Sequence, residues 1–386
     1  MRSHHITYLK LFLGIFLFMC SLEGLKGSFK LLSEEWINSL LSLIESRKAP
    51  LTGLALGVLI TSSVQSSSAV VATTMVSMAG LVASGLPLSS AVSFGVPMVL
   101  GANIGTTITN TIVAIGVKRG MTEEEFNASI PGVIVDDVVK FLNVALFFIL
   151  EITTGFLTNI ITYSVSFLEG VFELESFFQM FERGIIDILI EEPIIRPIFN
   201  ATRSIFGSEL SGIILLVTCF LGIILSLSIL EKSIESVLQF PEFEQRILSA
   251  FKNSVKSFAM GLFITFIVGS SSIATSLIIP FLATRMVELK DAYPYIMGTA
   301  IGTTIDLSQI YGYIAGGVTG MTLGMAHIIL NVFGAIIWWL LPLSTIPINI
   351  AMWIGQFIGS HSRSYLYLIG FVATIFFIAP LIIIIL

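Results

Sequence analysis

The stretch from Thr61 to Ser68 reads Thr-Ser-Ser-Val-Gln-Ser-Ser-Ser, so seven of its eight residues carry a side-chain oxygen. It interrupts an apolar run that begins near Leu51 and continues past Val82. Two or three hydroxyls in a membrane helix need no special role, because each can bond its own chain or a neighbouring helix. Seven together make poor apolar filler but a good replacement for the water around a small hard cation, which takes oxygen ligands. A helix broken at this point also frees backbone N–H groups, and those attract anions. A second stretch, Gly101-Ala102-Asn103-Ile104-Gly105-Thr106-Thr107-Ile108-Thr109-Asn110, again sets glycine, amides and hydroxyls into apolar sequence.

Both patterns return in the same order. Val268-Gly269-Ser270-Ser271-Ser272 answers Val64-Gln65-Ser66-Ser67-Ser68, and Gly298-Thr299-Ala300-Ile301-Gly302-Thr303-Thr304-Ile305 answers Gly101 to Ile108. Interrupted apolar segments at corresponding positions of two halves point to a transporter binding site. Ser66, Ser67, Ser68, Ser270, Ser271 and Ser272 are the candidate donors to an anion. Gln65, Asn103, Thr106 and Thr303 are candidate oxygen ligands for a cation. Several of these hydroxyls can instead bond the carbonyl one turn back and serve packing alone.

Asp306 joins the cation candidates. A carboxylate inside a span costs about 2.5 to 3.5 kcal/mol on insertion scales, so it must be paired, protonated or bound to a cation. Asp136 and Lys140 stand four apart on one helical face, the arrangement of a structural ion pair. His327 and Asn331 share that spacing, which suits a hydrogen bond between helices. Arg285 and Lys290 read as markers of a membrane boundary. Asn127-Ala128-Ser129 and Asn200-Ala201-Thr202 fit the glycosylation pattern, the first placed in a short turn.

The elements that must position these residues are membrane helices. Of 386 residues, 55% are hydrophobic and 11% charged, with a mean hydropathy of +0.96. Those values exclude an ordinary soluble domain and indicate an all-α polytopic membrane protein. Apolar windows at about 6–22, 51–83, 208–230, 258–284, 322–343 and 364–386 meet the roughly 20 residues a span needs. The first is read as a retained membrane segment, because no small-residue cleavage pattern follows it. Cys20 and Cys219 lack metal-ligand spacing, and no disulfide or redox role is expected.

The chain divides into a first helix and an interfacial amphipathic helix (1–50), a first repeat (51–168), a connecting loop (169–208), a linking span and polar segment (209–257), a second repeat (258–345) and C-terminal membrane segments (346–386). The connecting loop is acidic and poor in Lys and Arg, which favours the extracytoplasmic side. An odd number of spans between the halves would invert the second, and inversion is the favoured arrangement.

With these motifs in place, the chain resembles the type II sodium-dependent phosphate cotransporters and their bacterial relatives. Cys20-Ser21-Leu22-Glu23 is similar to the family's Cys-Ser-Leu-Asp, Val64 to Ser68 to its Val-Gln-Ser-Ser-Ser, and Gly101 to Thr106 to its Gly-Ala-Asn-Ile-Gly-Thr. Asn110 to Ala114 and Ala326-His327 with Asn331 also look like family segments. The resemblance implies two inverted repeats with broken helices meeting near the bilayer midplane. It further implies a central substrate site built from both serine motifs, sodium sites beside it, and cytoplasmic termini. The expected partners are inorganic phosphate or a related small anion, Na+ as the coupling ion, and the lipid bilayer. No other cofactor and no nucleic acid are expected, and the place is the plasma membrane.

The second half departs from the family pattern. Gly269 replaces a glutamine, Ala300 an asparagine and Asp306 a threonine, while in the first half Asp136-Asp137 with Lys140 replaces His-Asp with Asn. Two readings therefore stand beside sodium-coupled phosphate symport by alternating access. One keeps the fold and changes the solute or the cation coupling. The other, from different function classes, is an intramembrane hydrolase or a non-transporting adaptor. No Gly-x-Ser-x-Gly elbow supports hydrolysis, so enzyme activity is not expected.

Overall fold

A computed structural model describes residues 2–29, 31, 44, 48–118, 121–172, 176, 182–238, 249–361 and 363–385. Most of the expected interfacial helix (33–48), part of the acidic connection and part of the polar segment after 231 lie outside the described residues. Among those described, the chain is helical throughout and holds no strand. It is an all-α polytopic membrane protein, since lipid leaves backbone polar groups no partner except within helices or closed barrels.

Helix α1 (Arg2–Phe29) is followed by α2 (Ala49–Val64), α3 (Ser67–Ala83), α4 (Leu88–Gly105), α5 (Ile108–Val117), α6 (Glu123–Thr154) and α7 (Phe156–Phe172). The connection between halves is itself helical where described, with a wide-wound helix at Glu182–Ile195 and then α8 (Arg196–Phe206). After α9 (Ser208–Leu238) come α10 (Ser254–Val268), α11 (Ser271–Ser276), α12 (Ile279–Ala283), α13 (Leu289–Gly302) and α14 (Leu307–Ala335). The chain closes with α15 (Thr345–Gly359), α16 (Ser364–Ala373) and α17 (Ala379–Ile385).

Two of the apolar windows are interrupted at the serine motifs, as the oxygen-rich stretches predict. The 51–83 window breaks between α2 and α3, and the 258–284 window breaks between α10 and α11. The cause is local: Gln65 and Gly269 take left-handed backbone at φ 62° and 68°, and the next serine caps a new helix. Long α14 is also two helices. Gly317 has φ 55° and ψ −143°, and a Cβ placed on Gly320 would lie 2.6 Å from the carbonyl oxygen of Gly312. Eight residues of straight helix would separate those positions by about 12 Å, so the chain folds back there as a hairpin.

Equivalent helix pairs pack alike in the two halves. A Cβ on Gly101 of α4 would collide with the Leu54 carbonyl of α2, and one on Gly298 of α13 with the Phe258 carbonyl of α10. Small residues at such crossings let the backbones approach closely, the usual basis of helix association in lipid. Apolar side chains gather into two cores. One joins α2 to α4 with α14 of the second half, through Val71, Met75, Leu100, Leu323 and Leu330. The other joins α10 to α13 with α5 and α6 of the first half, through Ile130, Ile134, Ile279, Tyr295 and Ile296. Each half thus lends its later hairpin to the core of the other.

Asn127 corrects a further expectation. It lies within α6 rather than in a turn, its amide donating to the Gly359 carbonyl at 3.1 Å and its side-chain oxygen accepting from the Ser364 hydroxyl at 2.8 Å. The turn ends earlier, at Thr122, which caps α6 in a capping box with Glu125. Cys20 and Cys219 are free thiols that line one apolar groove between α1 and α9.

Candidate functional site

The serine motifs are built on matching breaks. At the first, the Gln65 N–H bonds the Thr61 carbonyl at 2.6 Å and closes α2, and the Ser66 hydroxyl accepts from the Ala69 N–H at 3.4 Å to open α3. At the second, the Gly269 N–H bonds the Thr265 carbonyl at 2.8 Å and the Ser270 hydroxyl accepts from the Ile273 N–H at 3.3 Å. Serine is favoured as a helix cap because its oxygen satisfies one of the donors left open at the first turn. The sequence thus places two helix N-termini, each carrying partial positive charge, inside the protein. All six motif serines are buried, none more than 5% exposed.

The third serine of each motif reaches into the other half. The Ser68 hydroxyl donates to the Asp306 carboxylate in a short hydrogen bond. The Ser272 hydroxyl donates to the Thr106 carbonyl at 3.0 Å. Every partner here was singled out by the sequence, but the crossing between halves was not.

Asp306 is fully buried and caps α14, its Oδ1 accepting from the Gln309 N–H at 3.0 Å. Gln309 in turn donates from Nε2 to the Ser68 carbonyl at 2.8 Å, and its Oε1 lies 3.4 Å from His327 Nδ1. The chain of contacts continues where Asn331 donates to the His327 carbonyl at 2.9 Å and accepts from Asn103 Nδ2 at 3.3 Å. Asn103 of the first half and Asp306 of the second therefore belong to one polar network. Sequence reasoning missed Gln309. The signal was present, because Asp306-Leu307-Ser308-Gln309 has the spacing of a capping box.

Other candidates stand apart from that network. The hydroxyls of Thr106 and Thr303 donate back to the Ala102 and Ala300 carbonyls, at 3.1 and 2.7 Å. Gln65 is exposed. Ser67 and Ser271 are the first residues of α3 and α11. Thr61 and Thr265, at matching places one turn before the breaks, are buried with hydroxyls that have no hydrogen-bond partner.

In the first half, Lys140 Nζ sits 3.1 Å from Asp136 Oδ2, as the spacing predicts, and both are buried. Asn110 Nδ2 donates to the same oxygen at 3.2 Å. Arg285 and Lys290 are exposed and pair with Glu124 at 3.4 Å and Glu288 at 2.7 Å. Hydrogen bonding to Glu288 holds the Lys290 ammonium above its ordinary pKa.

This arrangement can desolvate and hold an anion between helix N-termini, and a cation among carboxylate, amide and hydroxyl oxygens. Comparison with known proteins gives the same direction. The chain is 27% identical over 368 residues to sodium-dependent phosphate transport protein 2A of Ovis aries, an alignment covering 79% of this chain and 56% of that protein. It is 25% identical to sodium-dependent phosphate transport protein 2B of Bos taurus, covering 77% and 53%. A shorter stretch of 169 residues is 36% identical to protein 2B of Homo sapiens, covering 43% and 23%. The chain spans about half the length of the first of these relatives. No solved structure matches it. The Na+/Pi-cotransporter family matches residues 17–164 and 223–357. On that match, which takes in both serine motifs and most of the chain, this protein belongs to the Na+/Pi-cotransporter family.

Proposed function

We propose that this protein is a multi-pass plasma-membrane symporter that moves inorganic phosphate with Na+ by alternating access, through two repeats of inverted topology. The observation that carries the reading is the crossed pair of serine motifs: two buried helix N-termini, each sending its third serine to the second motif of the opposite half. The relatives' names, which specify sodium-dependent phosphate transport, agree with it.

The charge balance follows from the residues. No Lys or Arg occurs in either serine motif, so a phosphate must be balanced by helix N-termini, each worth roughly half a charge, and by bound cations. Asp306 adds a negative charge and holds the Ser68 hydroxyl. A Na+ at Asp306 would occupy the carboxylate and release Ser68 to donate to phosphate. Cation and anion then favour each other by the same free energy, which is the thermodynamic content of symport.

Uptake of radiolabelled phosphate into proteoliposomes, with and without an inward Na+ gradient, tests the proposal. Accumulation above the equilibrium level only with the gradient is expected. Gradient-independent or absent uptake overturns it. Asp306 beside Ser68 also favours a second reading, the same fold with a neutral or cationic solute, because an unneutralised carboxylate repels an anion. Na+ binding by calorimetry that phosphate does not strengthen would select that reading.

A further inference from the structure

The groove between α1 and α9 belongs neither to the serine motifs nor to the Asp306 network. The two helices run antiparallel: a Cβ on Gly24 would lie 2.6 Å from the Cys219 sulfur, and the Ser208 hydroxyl donates to the Leu31 carbonyl at 3.3 Å. Cys20, Gly24, Cys219 and Gly222 line the groove with larger apolar side chains, Leu13 and Phe16 among them, and its volume is about 540 Å³. From Leu13 to Gly24 helix α1 advances about 16 Å, the depth of one leaflet of a hydrocarbon core roughly 30 Å thick.

At the end nearest Leu31 and Ser208 the groove meets a polar pocket lined by Lys26, Arg196, Asn200 and Arg203 together with Glu23 and Glu191, and Ile195 and Phe199 line both spaces. Helix α8 makes this change of character. Arg196, Asn200 and Arg203 stand at i, i+4 and i+7 on one face, while Ile198, Phe199, Ile205 and Phe206 share another, the pattern of a helix lying in the membrane interface. None of its residues is buried. The polar pocket therefore sits at headgroup depth, and the groove leads from it into the hydrocarbon. Two of the three cations are matched: Lys26 Nζ is 3.8 Å from Glu23, and Arg196 is 3.4 Å from both Glu191 and Glu192. Arg203 has no acidic partner among the described residues.

We infer that this composite site holds one anionic phospholipid, with Arg203 on its phosphodiester and one acyl chain laid along the groove between α1 and α9. A guanidinium grips phosphate oxygens as a fork, and basic pockets between membrane helices bind lipid head groups. A net-negative head group supplies the charge that Arg203 lacks. The ammonium of a zwitterionic head group gains nothing comparable, because Glu23 and Glu191 are already engaged by Lys26 and Arg196. The site does not depend on which solute the protein carries.

The test uses the full chain purified in detergent and stripped of lipid, with binding read by native mass spectrometry and by thermal unfolding. Phosphatidylglycerol should occupy one tight site per chain and raise the melting temperature, and phosphatidylcholine with the same acyl chains should do neither. Arg203→Gln should weaken that binding about fivefold, the scale of one basic residue at an anionic lipid surface, and Arg203→Lys should recover most of it. Thr218 is exposed and lines the groove, so Thr218→Trp sets a ring where the acyl chain would lie. That variant should lose the bound lipid while its lipid-free melting temperature stays near wild type. Equal binding of the two lipids overturns the inference, as does unchanged phosphatidylglycerol affinity in either Arg203→Gln or Thr218→Trp. Displacement of the bound lipid by inorganic phosphate would assign the pocket to the free ion and overturns it too. Should Thr218→Trp fail to fold, the two Arg203 variants decide alone.

Discussion

The two serine breaks have the same backbone and different side chains. Gln65 and Gly269 both end a helix in the left-handed region, and Ser66 and Ser270 both cap the next one. Glycine reaches that conformation at little cost, whereas a residue with a Cβ pays roughly 1 to 2 kcal/mol. Gly269 therefore avoids a strain that Gln65 carries, and it offers no side-chain amide. The polar pairs deeper in each half diverge further. Asp136 and Lys140 form an ion pair in the first half, while His327 and Asn331 at the same spacing join a chain of hydrogen bonds in the second. The second half instead holds its charge at Asp306. The two halves share where the helices break and cross, and differ in the chemistry at those places.

The largest effect should come from unbalancing the first-half pair. Lys140→Met leaves Asp136 buried without its counterion and should cost about 3 to 5 kcal/mol, read as a lowered unfolding midpoint in detergent. Restoring neutrality with Asp136→Leu in the same chain should recover much of that loss. If Lys140→Met is as mild as a surface change, the contrast between an ion-paired first half and a hydrogen-bonded second half collapses. Next come Gly101→Ala and Gly298→Ala, each of which drives a methyl into a backbone carbonyl of the facing helix. Overpacking of this kind costs typically 1 to 3 kcal/mol, and the two variants should fall in melting temperature by similar amounts. A large difference would break the equivalence of the α2–α4 and α10–α13 crossings.

Smaller effects sharpen the comparison. Gln65→Gly should raise stability by up to about 1 kcal/mol through the relieved left-handed backbone. If the same variant loses Na+-dependent uptake, Gln65 acts as a ligand; if uptake is kept, the position is a hinge for backbone alone. The smallest effect concerns the turns. The first half joins α5 to α6 through a polar turn closed by Thr122, whereas the second folds back at Gly317. Hydrogen bonds from the Thr122 backbone and hydroxyl hold the Glu125 carboxyl below its ordinary pKa. Its contribution is present above the unfolded pKa and lost as pH falls through the lowered folded value. Glu125→Gln should flatten that part of an acid unfolding curve, and no change in the curve would show the cap to be idle.

Several features were legible because they depend on residue type and local spacing. Seven oxygen-bearing residues in eight predict a helix break, since serine caps helices and the backbone amides it frees need partners. The recurrence of that pattern showed two halves, and the i, i+4 spacing of Asp136 and Lys140 showed an ion pair. Apolar length alone would make windows 51–83 and 258–284 single spans, and it is the serine motifs within them that mark the helix pairs seen. Asn127 was misplaced because the turn residues before it ended at a cap, Thr122, and a long helix began there.

Sequence by itself determined the membrane class, the recurring motifs and the break points, because hydropathy and capping act within a few residues along the chain. Tertiary structure alone decided which half each motif serves. Ser68 meets Asp306, Ser272 meets the Thr106 carbonyl, and Asn103 meets Asn331 across separations of well over a hundred residues. The physical reason is that a buried polar group takes whichever partner packing brings within reach. That packing was fixed by glycine-lined crossings and two shared apolar cores, neither of which local spacing encodes.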